Sequence, residues 1–362
     1  MAGDARPDRQ AAVRRRLEEL GLDGLLVTSH PNIRYLSGFT GSAGLLLVFS
    51  DRTHLLTDFR YREQAPEETR GAAEVGLEGS DLWDRLRKTL ESRGRHRLGF
   101  ERDHLSVRDA DRLSRMNAAE LIPTSEVVES ERAIKDTGEV AAIRAAAELA
   151  HGALAELLPT IRVGESEREI AARLEFALRR RGSEWHPFQT IVAAGPRSAL
   201  PHARATSRPV GQGEWLLLDF GAELDGYCAD LTRTVVVGAT ADGRQREIYR
   251  IVAEAQRAAI AGLRPGMSGR EGDALARAVI EAAGYGEAFG HSLGHGLGLE
   301  VHEAPRLART ATEPLPAGAV VTVEPGIYLQ GWGGVRIEDD VHLTADGARC
   351  LTDGRTELLE LH

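Results

Sequence analysis

The sequence predicts a mixed α/β (α+β) chain in two parts. A small α/β domain comes first, and a larger domain of duplicated helix-hairpin units packed about a pseudo-two-fold follows. Three observations predict this. Short apolar runs alternate with helical stretches over the first third of the chain. A Leu158-Pro159 to Gly164-Glu165-Ser166 connection recurs as Leu263-Arg-Pro-Gly266-Met-Ser268, about a hundred residues later, and each opens a helix. Each helix pair then runs into glycine-rich segments with hairpin turn signals.

In chain order, residues 8–20 read as an arginine-rich amphipathic helix and 24–29 as a short apolar strand. Residues 35–44 form a glycine-rich turn region. Residues 45–49 and 54–57 make a strand pair about Asp51-Arg52. Residues 81–93 read as helix and 97–101 as strand, and the first domain ends near Ser130. Residues 131–158 read as one long alanine-rich helical stretch. The helices after the repeated connection span 168–181 and 272–283.

Composition removes several function classes. The chain has 362 residues, 42% hydrophobic and 28% charged, which suits a soluble globular protein larger than one usual domain. Its 45 basic and 55 acidic residues interleave to a net charge of −10, so no nucleic-acid partner is expected. Neither of its lysines, Lys88 and Lys135, lies in a phosphate-binding GxxxxGK[ST] loop. Two cysteines, Cys228 and Cys350, fit a reduced, cytoplasmic localisation. Residues 1–16 are polar and lack an apolar leader. The longest uncharged run, 35–50, is too short for a membrane span, so no membrane partner is expected.

The chemistry-bearing residues lie in the second part. Trp215 to Asp219 is an apolar strand ending on an acid, and Tyr227 to Val237 returns after the hairpin signal Asp225-Gly226. A two-residue turn pairs Asp219 with Thr232 and leaves Asp230 two positions away. A four-residue loop pairs Asp219 with Asp230. Both registers put the two carboxylates on one sheet face, roughly 4.5–8 Å apart. Such a pair repels itself when buried, and a divalent cation removes the difficulty. The bland alternative is two solvated strand acids.

Three histidines, His291, His295 and His302, fall within twelve glycine-rich residues and point to ligand or acid/base duty. In extended chain His291 and His295 share a face, whereas His302 has the opposite parity and needs a bend or bulge. His302-Glu303 is not HExxH, because Arg306 stands where the second histidine belongs. Glu324 ends another apolar strand before Pro325. Glu338 returns after the 331–334 turn, so the two can lie close across a hairpin. Arg336 shares the strand face of Glu338 and is placed to neutralise part of the cluster; the bland alternative makes 338–340 a solvated acidic end. Four carboxylates and an imidazole together need about two divalent ions. Hard oxygen donors with one imidazole favour Mn²⁺, with Co²⁺, Zn²⁺ or Fe²⁺ as alternatives. No GxSxG elbow is present.

These residues resemble a known family. The motifs are Leu218-Asp219 through Asp230-Leu-Thr-Arg-Thr234, His291-Ser-Leu-Gly-His295 through His302-Glu303, Glu324-Pro-Gly-Ile-Tyr328, and Gly334-Val-Arg-Ile-Glu338-Asp339. They are similar to the metallopeptidases of the pita-bread fold, and specifically to the Xaa-Pro peptidases, aminopeptidase P and prolidase. Tyr35-Leu-Ser-Gly-Phe-Thr-Gly-Ser42 and Thr57-Asp-Phe-Arg-Tyr-Arg-Glu-Gln-Ala65 resemble that group's creatinase-like N-terminal domain. The resemblance spans nearly the whole chain. It implies a creatinase-like domain over residues 1–130 and a pita-bread catalytic domain over residues 131–362.

The resemblance also implies roles. Asp219 binds one ion, Asp230 and Glu338 bridge both, and His295 and Glu324 hold the other. Glu324 also takes the proton from the attacking water. His202 contacts substrate near the metals; by composition alone it is a loop histidine. His291 and His302 stabilise the tetrahedral intermediate and line the proline side. Arg336 pairs with a ligand acid, Asp219 being the natural one. A homodimer acting on proline-containing peptides is implied.

Between the two activities, the sequence favours an Xaa-Pro aminopeptidase. The segment between His302 and Glu324 is short and lacks the longer arginine-bearing insertion of one bacterial prolidase subgroup, although it holds Arg306 and Arg309. The Xaa-Pro dipeptidase (prolidase) is the alternative. A non-catalytic pita-bread binding module is a distant one, disfavoured by the complete ligand set. Residues 184–188, Glu-Trp-His-Pro-Phe, either line the cleft or pack.

Overall fold

The computed structural model describes residues 4–77, 81–94, 96–352 and 356–362. The chain divides into two units, Met1–Arg132 and Ala133–His362. In the first, helix α1 (Arg6–Leu20) buries Gln10, Val13 and Leu17 along one stripe and stops at Gly21, which takes the left-handed conformation at φ 63°. Strands β1 (Gly24–Val27), β2 (Gly44–Phe49), β3 (Thr53–Thr57), β4 (Glu74–Gly76), β5 (Arg97–Glu101) and β6 (Glu120–Thr124) form one sheet in the order β4-β3-β2-β1-β5-β6. Val48 faces Thr53 across the expected turn. Leu26, Leu47, Phe49 and Leu98 pack this sheet against Leu86 and Leu90 of helix α4 (Leu82–Glu91), which follows the short helix α3 (Gln64–Thr69). Helix α5 (Val107–Met116) adds Leu113 to the same core.

Residues 35–37 are helical, contrary to the turn expected over 35–44. Helix α2 (His30–Ser37) starts after Ser29, with Pro31 in its first turn, and ends at Gly38 with φ 82°. The glycine in this stretch is therefore a helix stop as well as a turn residue. The chain entering α2 is held internally: Glu101 Oε2 accepts from Thr28 N at 2.6 Å and Ser29 N at 2.8 Å, and its Oε1 accepts from the Asn32 side-chain Nδ2 at 2.7 Å. Sheets of this kind often hold a phosphate at such a strand end, but here the chain's own carboxylate fills the place.

The 131–158 stretch is not one helix. A short α6 (Glu129–Arg132) stops, and α7 (Thr137–Leu157) begins with a capping box between Asp136 and Glu139. The cap supplies acceptors to amides that a continuous helix would have satisfied, so the break is stable. Both units of the expected duplication then appear. Helices α8 (Glu167–Arg181) and α10 (Gly269–Ala282) each open with a capping box, Ser166 with Glu169 and Ser268 with Glu271. The preceding turns match bond for bond. Gly164 N donates to Val210 O and Gly266 N to Leu315 O, both at 2.9 Å. Isolated bridges join Ser166 to Pro209 and Ser268 to Pro314.

After α8, strands β7 (Ile191–Ala194), β8 (Glu214–Leu224) and β9 (Tyr227–Val237) form a sheet that β17 (Glu360–Leu361) completes in the order β17-β9-β8-β7. Leu216, Leu218 and Phe220 face the α7–α8 layer, which leaves Asp219 on the opposite face. After α9 (Gly243–Gly262) and α10 come β10 (Gly294–Gly296), β11 (Glu303–Leu307), β12 (Val320–Val323), β13 (Gly326–Leu329), β14 (Gly333–Arg336), β15 (Asp339–Thr344) and β16 (Gly347–Cys350). They form a five-stranded sheet, β11-β10-β12-β15-β16, and a β13-β14 ribbon. Val323 pairs with Asp339 and Gly326 with Arg336, so one register runs through both ladders. The gap between them holds Glu324 and Glu338. Among the described residues no helix is long and apolar enough to cross a membrane.

Candidate metal centre and active site

The first hairpin takes the two-residue turn. Asp225 and Gly226 adopt φ 49° and 72°, and Asp219 faces Thr232 while Gly221 faces Asp230. Both carboxylates are therefore on the face away from α7. The second hairpin meets them at an isolated bridge between Thr232 and Glu338. Thr232 Oγ1 donates to Glu338 Oε2 at 2.5 Å, and Arg336 donates to Asp219 Oδ2.

His295 arrives on β10, between β11 and β12. Its Nε2 lies 3.5 Å from Glu324 Oε1 and 3.8 Å from Asp230 Oδ2. Donor atoms of Asp230, His295 and Glu338 lie within 4.8 Å of one another. Only a strand without side chains at 294 and 296 fits there. A Cβ at Gly294 would stand 2.0 Å from the Thr322 carbonyl oxygen, and one at Gly296 would stand 2.2 Å from that of Ala304. Gly294→Ala is accordingly expected to lower stability by about 1–3 kcal/mol, because β10 must move off β12. Urea melts check this, and an unchanged midpoint would show the strand has room.

A register shift between His295 and Gly296, followed by bends at 298–302, resolves the parity of His302. Its ring stands 4.4 Å from that of His295, edge to face. Next to it, Glu303 is held by buried Lys135 at 2.6 Å. His202 is exposed on the loop after β7, within electrostatic reach of Asp219, His291 and His302. That loop is wound about one buried carboxylate. Glu167 accepts from Ala194 N at 2.9 Å, Arg197 Nε at 3.0 Å and Thr206 N at 2.9 Å.

His291 is engaged on both nitrogens. Nδ1 lies 2.8 Å from Ser292 O, and a carbonyl can only accept, so Nδ1 carries the proton. Nε2 then accepts from the Tyr328 hydroxyl at 2.8 Å, which in turn accepts from Arg336 Nη1 at 2.8 Å. Tyr328, by sequence one tyrosine in a short strand with nothing to mark a role, thus links His291 to Arg336.

The 338–340 run is not a solvated end: all three residues are buried. Asp339 accepts from Arg233 at 2.8 Å and from Gln256 at 2.6 Å, and Arg233 also donates to Glu338 O at 2.6 Å. Asp340 Oδ2 accepts from Asp230 N at 3.1 Å. These bonds brace the backbone behind two of the clustered acids, and they join residues more than 80 positions apart, which no local pattern reveals. Residues 184–188 pack at least in part: Pro187 and Phe188 stand over Gly221, while Trp185 is exposed and stacks on His186 at 4.6 Å.

Electrostatics test whether a cation fits. Burial pushes the Asp219, Asp230 and Glu338 carboxyls up, and neighbouring acids push Asp230 and Glu338 further. Burial likewise raises Glu324 to about 8, although Arg336 opposes it. His295 is pushed down to about 4 by burial and by His302, so it is a neutral donor. Asp230 Oδ1 is buried and has no hydrogen-bond partner. One guanidinium among three buried carboxyls and the half-buried Glu324 leaves the set short of positive charge, and the orphaned oxygen marks where it is missing. The donor set fits a divalent metal.

Comparisons with known proteins agree with this geometry. Residues 9–134 match the creatinase/prolidase N-terminal domain, and residues 141–345 match metallopeptidase family M24. An Xaa-Pro dipeptidase of Pyrococcus horikoshii is 37% identical over 95% of this chain and 96% of its own. The structure of an Xaa-Pro dipeptidase from Bacillus anthracis superposes with a TM-score of 0.95, at 42% identity, covering 98% of this chain and 100% of that one. An X-Pro aminopeptidase structure from Thermotoga maritima gives 0.90 at 38% identity, covering 97% and 99%. The chain is thus a peptidase belonging to metallopeptidase family M24, with a creatinase/prolidase N-terminal domain preceding the pita-bread domain.

Proposed function

We propose that the chain is an Xaa-Pro dipeptidase that uses two divalent cations, most simply Mn²⁺, to hydrolyse the bond before a C-terminal proline. The observation that carries this reading is the convergence of buried carboxylates and one imidazole around the unpartnered Asp230 oxygen. The names of the relatives support the dipeptidase over the aminopeptidase that the sequence favours.

Asp219, Asp230, His295, Glu324 and Glu338 would hold the ions. Such ions supply Lewis acidity, which polarises a carbonyl and activates water. The chain's residues supply the rest. Glu324 accepts a proton from the water and returns it to the leaving imino nitrogen. Arg336 keeps Asp219 oriented. His302 and exposed His202 face the substrate and donate to the developing oxyanion. His291 holds the Tyr328 hydroxyl and meets the substrate beside it. The same reading makes the enzyme a cytoplasmic homodimer, supported by the family resemblance and by two free cysteines.

A dipeptidase must hold the proline carboxylate. Arg306 is exposed, stands opposite His295 across β10 and β11, and its charge acts on His295 and His302. Arg309 instead reaches Glu281, at 3.4 Å. Arg306→Met is expected to raise KM for an Xaa-Pro dipeptide at least about tenfold, the scale of one lost charged hydrogen bond. Mn²⁺-loaded protein should cleave the dipeptide in preference to an Xaa-Pro-Yaa tripeptide. Preferential tripeptide cleavage would restore the aminopeptidase reading.

A further inference from the structure

Asp273 and Arg277 stand one turn apart on α10, both buried, outside the carboxylate cluster. The guanidinium is bidentate on the acid, Nε to Oδ2 at 2.6 Å and Nη2 to Oδ1 at 2.8 Å. Burying such a pair is costly unless its remaining hydrogen-bonding capacity is used. It is used on one short segment. Arg277 Nη1 donates to Phe289 O at 2.9 Å and Nη2 to His291 O at 2.8 Å, while Asp273 Oδ1 accepts from Leu293 N at 3.0 Å. The guanidinium also lies over the Phe289 ring, 4.1 Å from its centre.

Three alternate residues, 289, 291 and 293, are thereby tied to one ion pair. The segment is neither helix nor strand; backbone bonds hold only its ends, Phe289 N to Gly286 O at 3.3 Å and Glu324 N to Leu293 O at 2.9 Å, and the ion pair holds its middle. His291 is its middle residue. The ring's direction, and the carbonyl of Ser292 that selects its tautomer, follow from the backbone that the pair holds.

We propose that Asp273 and Arg277 are positioning residues for the peptidase reaction, acting through His291. They set the segment so that Nε2 of His291 meets the Tyr328 hydroxyl. This rests on the reading that His291 serves catalysis. An i,i+4 pair in a helix is otherwise a local stabiliser, and its loss would then act on the whole fold and not through one ring.

The test is a double-mutant cycle on the full chain saturated with Mn²⁺, with an Xaa-Pro dipeptide as substrate. Arg277→Lys, Asp273→Asn, His291→Ala and the combination of Arg277→Lys with His291→Ala are compared for kcat, KM and melting temperature. Arg277→Lys is expected to lower kcat about a hundredfold with KM little changed, because lysine has no fork to hold two carbonyls and the acid. In the His291→Ala background the same change is expected to add no further loss, since the group it acts through is gone. Losses that multiply in the combined variant, or a wild-type kcat for Arg277→Lys, would overturn the proposal. A wild-type rate for His291→Ala would instead remove His291 from the reaction, and the positioning role with it. Should Arg277→Lys fail to fold, Asp273→Asn combined with His291→Ala makes the same comparison, because the amide keeps an acceptor for Leu293.

Discussion

Glu324→Gln is expected to leave a folded protein that turns over Xaa-Pro dipeptides about 10²–10⁴-fold more slowly, the range for a lost general base. The amide is isosteric and can still accept from Thr322 Oγ1, which now lies 3.2 Å from Oε1. It cannot take a proton from water. Glu324 sits at the strand gap before Pro325, with part of its side chain accessible, so it can reach a solvent molecule that the more deeply buried Glu338 cannot. Because Glu324 is also a proposed ligand, metal content per chain must be measured beside the rate. Lost turnover with retained metal supports the proton role, and full activity would remove it.

Stripping divalent ions with a chelator is expected to abolish turnover, and Mn²⁺ to restore it. The same ions should stabilise the fold. A ligand at a hundred times its Kd adds about 2.7 kcal/mol if it binds only the native state. For a unit of this size that corresponds to a melting-temperature rise of roughly 5–10 °C. Asp230→Asn should abolish most of that rise, since Asp230 carries the unpartnered oxygen and its donor atom groups with those of both His295 and Glu338. A chelator that changes neither rate nor melting temperature would end the metal reading.

The five clustered side chains are legible in the sequence because four of them are carboxylates set in two apolar hairpins with clear turn signals, and the fifth is a histidine among glycines. Asp225-Gly226 pins the first hairpin, since both positions need positive φ, and the pairing of Asp219 with Thr232 follows. Glu324 and Glu338 are symmetric about Gly331, and the ladders on either side keep that symmetry. The duplicated connection is legible because capping boxes are local. Other features are set by distant contacts. The break before Asp136 hides inside an alanine-rich run of high helix propensity. Burial of Asp339 depends on Arg233 and Gln256, and the hold of Glu167 on the His202 loop depends on residues near 194 and 206. The spacing of Asp273 and Arg277 is readable as an ion pair, but not the segment it grips.

The meeting of the two hairpins at Thr232 and Glu338 has a mechanical consequence. With ions held as proposed, each hairpin contributes two carboxylates to a shared clasp, and residues roughly a hundred positions apart become cross-linked as a disulfide would link them. Prying the hairpins apart then means rupturing coordinate bonds as well as the bridge between Thr232 and Glu338. Shelf life of the loaded enzyme becomes a matter of how fast its ions escape, and a weakly chelating buffer shortens it even where the equilibrium melt scarcely moves.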